Sequence, residues 1–424
     1  MRLLYSLAWW LALPLVLCRL WLRGRQEPGY RRHLAERFGF YAPRPAAPLL
    51  WVHAVSVGET RAAEPLIDAL LAAYPRHAIL LTHMTPTGRA TGQALYGKHG
   101  ERLRQSYLPY DTGWMVGRFL RHFRPAICIL METEVWPNVM AQCRRHEVPV
   151  ALVNARLSAR SLAKARRLSA LMTEAARAMS CVAAQTEADA ERLRSLGAPH
   201  VAVTGSVKFD VTPPQAAIDK GLAMRAQIGG RPVFLCASTR EGEEGLILDA
   251  WKKTDAAEAL LLIVPRHPQR FDEVARMVEE RGFALARRSA MGDRPVAADV
   301  QVLLGDSMGE MFAYYAACDL AFIGGSLLPL GGQNLIEACA VGKPVLIGPH
   351  TFNFAAVSDD AVAAGAAMRI EDADVLAREA RRLLADEGRR TAMGGKALAF
   401  ARQHRGATER TMVLLRKLVR HSQD

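Results

Sequence analysis

Several stretches of this 424-residue sequence set ionisable or hydroxyl side chains directly after short apolar runs. His53-Ala-Val-Ser-Val-Gly-Glu59-Thr follows Leu49–His53. Two readings stand. Ser56-Val-Gly-Glu59 has the S-x-x-E spacing of a capping box at a helix start. Equally, Glu59 is a carboxylate on a glycine-containing turn, able to take a proton from a substrate hydroxyl. Met131-Glu132-Thr-Glu134-Val-Trp-Pro-Asn138 also follows an apolar run. Burying acids there is costly unless they are paired or used. The spacing does not distinguish Glu132 from Glu134, nor a site from a surface loop.

A second set is suited to anions. Lys208, in Gly205-Ser-Val-Lys-Phe-Asp, is either a solvated lysine or a cation reaching a ligand. Ser238-Thr-Arg-Glu-Gly-Glu-Glu244 has hydroxyls leading into acids, as helix starts do, and backbone amides there can hold an anion. Arg266 follows Val264-Pro265 and suits bidentate phosphate contact. Gly324-Gly325-Ser326 lets backbone amides approach a phosphate closely. Gly331-Gly332-Gln333-Asn334 then opens a helix with free N–H groups. Glu337, three residues after Asn334, shares that helix face and can take both hydroxyls of a ribose. The alternative is a tight packing turn. The pattern is not G-x-G-x-x-G, so an ordinary dinucleotide site is not expected.

These residues need a scaffold, and the apolar runs supply one. Strands are expected near Leu49–His53, Ile79–Thr82, Ala126–Met131, Val150–Val153, Cys181–Ala184 and Val201–Thr204. A second series falls near Val233–Ala237, Leu261–Val264, Phe283–Ala286, Val300–Leu304, Leu320–Ile323 and Val345–Ile347. Each is short and rich in Val, Ile and Leu, as strands buried on both faces of a parallel sheet are. Ala-rich helical stretches such as Ala62–Ala73 and Ser158–Met179 separate them. The series breaks at Asp210-Val-Thr-Pro-Pro-Gln. The expectation is α/β: two doubly wound, Rossmann-like domains facing a central cleft, with ligands at the strand C-terminal ends.

Charge separates the ends from the body. The chain carries 55 Lys plus Arg against 42 Asp plus Glu, a net +13. Residues 1–44 hold eight arginines and two acids, and residues 398–424 hold six cations and two acids. The ends therefore carry +6 and +4, leaving +3 for the rest. Half the residues are hydrophobic, which excludes a disordered chain. Residues 3–18 carry no charge, and extension to Leu22 admits only Arg19. As a helix this run is long enough to anchor the chain in a membrane, with the arginines after it on the cytoplasmic side. Spanning and interfacial placement both fit, as does a buried amphipathic helix. The seven cysteines are scattered, which points to a reducing compartment. The twelve histidines have no ligand spacing, so no metal is expected.

Together these stretches resemble one family, the lipid A 3-deoxy-D-manno-octulosonic acid (Kdo) transferases. The matching segments are LWLRGR, YRRHLAERFGFY, HAVSVGET, METEVWPN, VNARLS, GSVKFD, ASTREGEE, VPRHPQRF, GDSMGEM, FIGGSLLPLGGQN and IGPHTFNF. The resemblance covers nearly the whole chain. It implies a GT-B fold, CMP-Kdo as donor, a lipid A precursor (tetraacyl disaccharide bisphosphate) as acceptor, and no cofactor. By it, Glu59 matches the catalytic base, and Glu132 or Glu134 a second essential acidic segment. Lys208, Arg266, Ser326, Asn334 and Glu337 match positions around CMP; Ser238 and Gly325 join them as anion-binding candidates. Gln333 and Arg240 stand where members often have His, and Cys339 where many have Pro.

The organisation then expected is a membrane anchor helix over 1–24, an acceptor domain over 25–210, a linker over 211–220, a CMP-sugar donor domain over 221–405, and a basic C-terminal helix over 406–424. The reaction expected is inverting direct displacement at the cytoplasmic side of the inner membrane. The expected polyanionic partner is that membrane surface, not nucleic acid, since nucleic-acid motifs are absent from the body. Two competitors are a nucleotide-sugar epimerase acting on a soluble substrate and a polyanion-binding protein without chemistry.

Overall fold

The computed structural model describes residues 1–419 other than 45, 168, 255–257 and 293. Among the described residues fourteen strands form two seven-stranded sheets, parallel throughout. In the first, β1 (Leu49–His53), β2 (Ala78–His83), β3 (Leu103–Tyr107), β4 (Ile127–Met131), β5 (Val150–Ala155), β6 (Cys181–Ala184) and β7 (Val201–Val203) lie in the order β3-β2-β1-β4-β5-β6-β7. In the second, β8 (Val233–Thr239), β9 (Leu260–Pro265), β10 (Leu285–Arg287), β11 (Val302–Leu304), β12 (Leu320–Ile323), β13 (Val345–Ile347) and β14 (Ala367–Arg369) lie in the order β10-β11-β9-β8-β12-β13-β14.

All twelve strands expected from the apolar runs form. The two missed, β3 and β14, are edge strands. β3 is polar (Leu-Arg-Gln-Ser-Tyr) and β14 is only three residues long, so neither carries the doubly buried signature. Successive residues of β1 feed opposite faces: Leu49 and Trp51 enter one buried cluster, Leu50 and Val52 another.

Strand order reverses between β1 and β4 in the first sheet and between β8 and β12 in the second, where β11 also returns to lie between β10 and β9. Ligands of doubly wound sheets bind at the strand C-terminal ends around such a point. Glu59 and the Glu132–Glu134 stretch follow β1 and β4. The Ser238–Glu244 and Gly324–Ser326 stretches follow β8 and β12.

Three expectations change. The stretch Ala62–Ala73 is two helices, Val57–Ala62 and Glu64–Ala73, because Pro65 cannot donate within a continuous helix and opens a new one. Helix Gln215–Ile228 begins inside the stretch read as a linker over 211–220; Pro213 and Pro214 precede a helix start. The basic C-terminal helix expected over 406–424 is helical over Ala407–Arg416 and packs into the first unit. The chain divides into one unit of Met1–Asp210 with Arg405–Asp424 and another of Val211–His404. Helix Ala407–Arg416 and Val419 bury Ala407, Met412, Leu415 and Val419 in the first unit's core. Asp210 pins this return by accepting from the N–H groups of Gly406 (2.9 Å) and Thr408 (2.7 Å). Arg410 donates to the Thr204 carbonyl at 3.0 Å. Part of the terminal basic excess is thus structural, and residues 420–424 lie outside the described residues. The stretch Ser158–Met179 is helical over Ala159–Arg167 and Ser169–Arg177, with residue 168 also outside the described residues.

Candidate functional site

After β1, Ser56 caps the next helix and the Glu59 carboxylate folds back onto the same turn. Ser56 is the N-cap of helix Val57–Ala62, and its Oγ accepts from the Glu59 N–H at 3.5 Å. Glu59 reaches back: Oε2 accepts from the Val55 N–H at 2.7 Å, and Oε1 accepts from Ser56 Oγ at 3.3 Å. These contacts fix the carboxylate and on their own would hold its pKa down. Partial burial pushes the Glu59 carboxyl up to about 7, with repulsion from Glu134 and Glu132 adding to the shift. A base with that value suits proton abstraction near neutral pH. Beneath the turn, the His83 imidazole lies 3.0 Å from the Ala54 carbonyl.

Glu132 stands directly past β4 and Asn154 in the last residues of β5, strands whose register pairs Met131 with Val153. Both are non-glycine residues at positive φ, 59° and 52°. Such strain persists where the surroundings over-determine it, often at functional sites. Lys208 Nζ meets Glu132 Oε1 at 2.6 Å, and Asn154 Nδ2 donates to the same oxygen at 3.5 Å. Asn154 Oδ1 accepts from Ser206 Oγ (3.1 Å) and the Val207 N–H (3.2 Å), so one amide ties the Lys208 turn to the acid. The sequence reading missed Asn154; its only signal was a polar residue after an apolar run. Glu134 completes the cluster, its carboxyl raised by burial and by Glu132.

Lys208 lies in the first unit, where the sequence reading put it. It pairs with Glu132 at 2.6 Å, while the other donor candidates lie in the second unit.

Around β8 and β12 the organising residue is Glu243, which the sequence reading did not single out. It is fully buried, and its oxygens accept from the N–H groups of Gly325 (2.6 Å), Arg240 (2.8 Å) and Leu327 (2.9 Å). The Arg240 amide, in a stretch expected to present amides to an anion, is thus taken by the protein's own carboxylate. Glu244 is also buried and binds Arg270 (2.7 Å) and the Thr239 hydroxyl (2.8 Å). Ser238 has φ 56° and lies at the register shift between β8 and β9. The backbones pack closely: a Cβ on Gly324 would lie 2.5 Å from the Ser238 carbonyl oxygen. Ser326 is fully buried; its Oγ donates to the Ile323 carbonyl (2.5 Å) and accepts from the Gly348 N–H (2.8 Å). Its side chain fastens the loop. Gly325 takes φ 70°, and the Gly332 N–H donates to its carbonyl at 2.6 Å.

The next helix starts at Ile336, later than expected, and Asn334 Oδ1 accepts from the Ile336 N–H at 3.0 Å. Glu337 is held up by burial, while Arg266 and Asn334 pull its carboxyl down again. Those three donor candidates therefore form one group.

The first half of the chain, residues 32–211, matches the family model described as 3-deoxy-D-manno-octulosonic-acid transferase (kdotransferase). Residues 288–399 match the model for glycosyl transferases group 1. Over 420 residues the chain is 48% identical to the 3-deoxy-D-manno-octulosonic acid transferase of Bordetella pertussis, covering 96% of this chain and 97% of that one. The chain belongs to the Kdo transferase family. The Haemophilus influenzae transferase is 37% identical over 411 residues, 95% of each chain. The transferase is thus an enzyme of lipopolysaccharide biosynthesis. A solved UDP-GlcNAc 2-epimerase from Neisseria meningitidis matches with a TM-score of 0.56 at 17% identity, over 87% of this chain and all of that one. That likeness concerns fold alone and gives the Kdo transferase its GT-B architecture of two Rossmann-like units.

Proposed function

We propose that the enzyme transfers Kdo from CMP-Kdo to a lipid A precursor by inverting direct displacement, with Glu59 as general base. The observation that carries this reading is a carboxylate near neutral pKa, fixed at the strand reversal of the first sheet beside two more acids. Glu59 takes the proton of an acceptor hydroxyl, whose oxygen attacks the anomeric carbon of Kdo. The bond from that carbon to the phosphate oxygen breaks, and CMP leaves with the electron pair. Lys208 keeps Glu132 compensated, so the second acid orients the acceptor without adding unpaired charge beside the base. Nuclear magnetic resonance of the linkage tests the stereochemistry: inversion relative to the donor is expected, and retention would contradict direct displacement.

In the second unit, CMP is assigned to Arg266, Asn334 and Glu337 with backbone groups around Ser238 and Gly324–Ser326. Arg266 answers the phosphate charge, and Glu337 accepts from ribose hydroxyls. Glu337→Ala is expected to weaken CMP binding about tenfold, the scale of a charged hydrogen bond. Calorimetric titration checks this, and unchanged affinity would remove the ribose contact. Glu243→Gln replaces an acceptor oxygen by a donor facing backbone N–H groups. The loop then loses its staple, and CMP affinity is expected to fall by about tenfold or more. Affinity equal to the parent, in a variant whose melting point has dropped, would limit Glu243 to fold stability.

The membrane reading belongs to this proposal. Among the described residues one helix is long and apolar enough to cross a membrane, at Arg2–Arg25. It is assigned as the single anchor on the inner membrane, with the catalytic units on the cytoplasmic side, where an anionic lipid surface presents the acceptor.

A further inference from the structure

Helix Arg2–Gln26 contacts the first unit along its length, not only at one end. Arg2 pairs with Glu174 at 2.7 Å. Tyr5 donates to Asp111 at 2.9 Å, and Ser6 Oγ accepts from Asn138 Nδ2 at 3.1 Å. Trp9 meets the Tyr110 ring with centroids 5.8 Å apart. Leu13 is buried with Tyr110 and Met115, with Val16, Leu20 and Phe38 packed around them. Positions 2, 5, 6, 9, 13, 16 and 20 recur every three or four residues and so form one face. The polar end of that face is satisfied by buried partners: Asp111 and Asn138 are 1% and 3% exposed. In a helix crossing the bilayer, Arg2, Tyr5 and Ser6 would leave these partners behind on the other side of the membrane.

The opposite face is apolar and uncovered by the described residues. Leu3, Leu4, Leu7, Trp10, Leu11, Leu15, Trp21 and Leu22 are all exposed. Leu4, Leu11, Leu15 and Leu22 fall within about 40° of one another at 100° per residue, so they form a single ridge. Exposed Arg19, Arg23 and Arg25 stand at its end. The helix whose Met115 packs beneath Leu13 also exposes Trp114, which meets exposed Phe40 at 6.4 Å, with Arg118 against both rings. Indole and guanidinium groups beside an apolar ridge match the headgroup boundary of an anionic bilayer.

We infer that this helix lies flat in the lipid–water interface, docked on the first unit by its inner face, and does not cross the bilayer. The inference rests on the membrane reading above and specifies its geometry. Its occupant is an anionic lipid surface, because the exposed cations border the ridge.

The test uses the full-length protein and vesicles of phosphatidylglycerol with phosphatidylcholine. Cys18 is the one exposed cysteine and the other six are buried, so Cys18→Ser leaves a background for single labels. A small fluorophore is placed at Leu4→Cys, Leu11→Cys, Leu15→Cys or Leu22→Cys, with Leu13→Cys as the inner-face control, and lipids brominated at known depths quench it. A flat helix gives the four ridge positions one shallow depth and leaves position 13 unquenched. A crossing helix separates Leu4 from Leu22 by about 27 Å, at 1.5 Å per residue, and puts Leu11 near the bilayer centre. That stagger would overturn the flat placement while leaving the membrane anchor standing. No vesicle binding at all would overturn both. Binding is expected to fall about tenfold or more in neutral vesicles; equal binding there would overturn the choice of an anionic surface.

Discussion

Glu59→Gln lowers the rate of Kdo transfer by about a thousandfold, within the range general-base catalysis supplies. CMP binding is unchanged, because every residue assigned to CMP lies in the other unit. Glutamine keeps an oxygen that can accept from the Val55 N–H, so the turn and its cap survive. What is lost is the group that takes the proton. The pH dependence has a definite sign. The carboxyl is pushed up to about 7, so it is protonated and inactive as a base below that value. The value of kcat/KM should rise about tenfold per pH unit below 7 and level off above it. The nearby imidazoles do not compete for this limb: burial drives His53 down to about 3 and His83 down to about 4. A variant that turned over like the parent, or a limb that survived in it, would contradict the assignment.

Lys208→Ala unfolds the first unit at lower temperature. The Glu132 side chain is mostly buried, and losing its ammonium partner leaves an uncompensated acid. Breaking a buried pair costs about 3–5 kcal/mol; because Lys208 is a third exposed, about 2–3 kcal/mol is expected. For a unit of this size that is a fall of roughly 5–10 °C in melting temperature. Adding Glu132→Gln to Lys208→Ala removes the stranded charge and should restore most of the stability but not the transfer rate. A double variant as unstable as the single one would mean that the pair is not what Lys208 serves. Weakened CMP binding in Lys208→Ala would return the lysine to the donor, as the family pattern first implied.

The legible part of this molecule was the part governed by burial. Strands covered on both faces are continuous apolar runs, and all of those were visible. The polar edge strand Leu103–Tyr107 pairs on one side only and left no such trace. The carboxylates were legible by their place after strands; their partners were not. Glu243 was read as part of a helix start, yet its oxygens reach Gly325 and Leu327, over eighty residues away. Asn154 binds across to Ser206 and Val207 for the same reason. Charge counting was informative but coarse. Of the N-terminal arginines, Arg2 is spent on Glu174, and Arg37 is buried against the Tyr107 ring at 3.8 Å. The excess facing outward is therefore smaller than the sequence total, and it gathers at the end of one helix.

The most direct test of the account is to incubate the enzyme with CMP-Kdo and a tetraacyl disaccharide bisphosphate acceptor in anionic vesicles and weigh the lipid product. The account predicts an acceptor heavier by whole Kdo residues, one CMP released for each, and no gain in mass with Glu59→Gln. An acceptor of unchanged mass from parent enzyme that binds CMP-Kdo would contradict it.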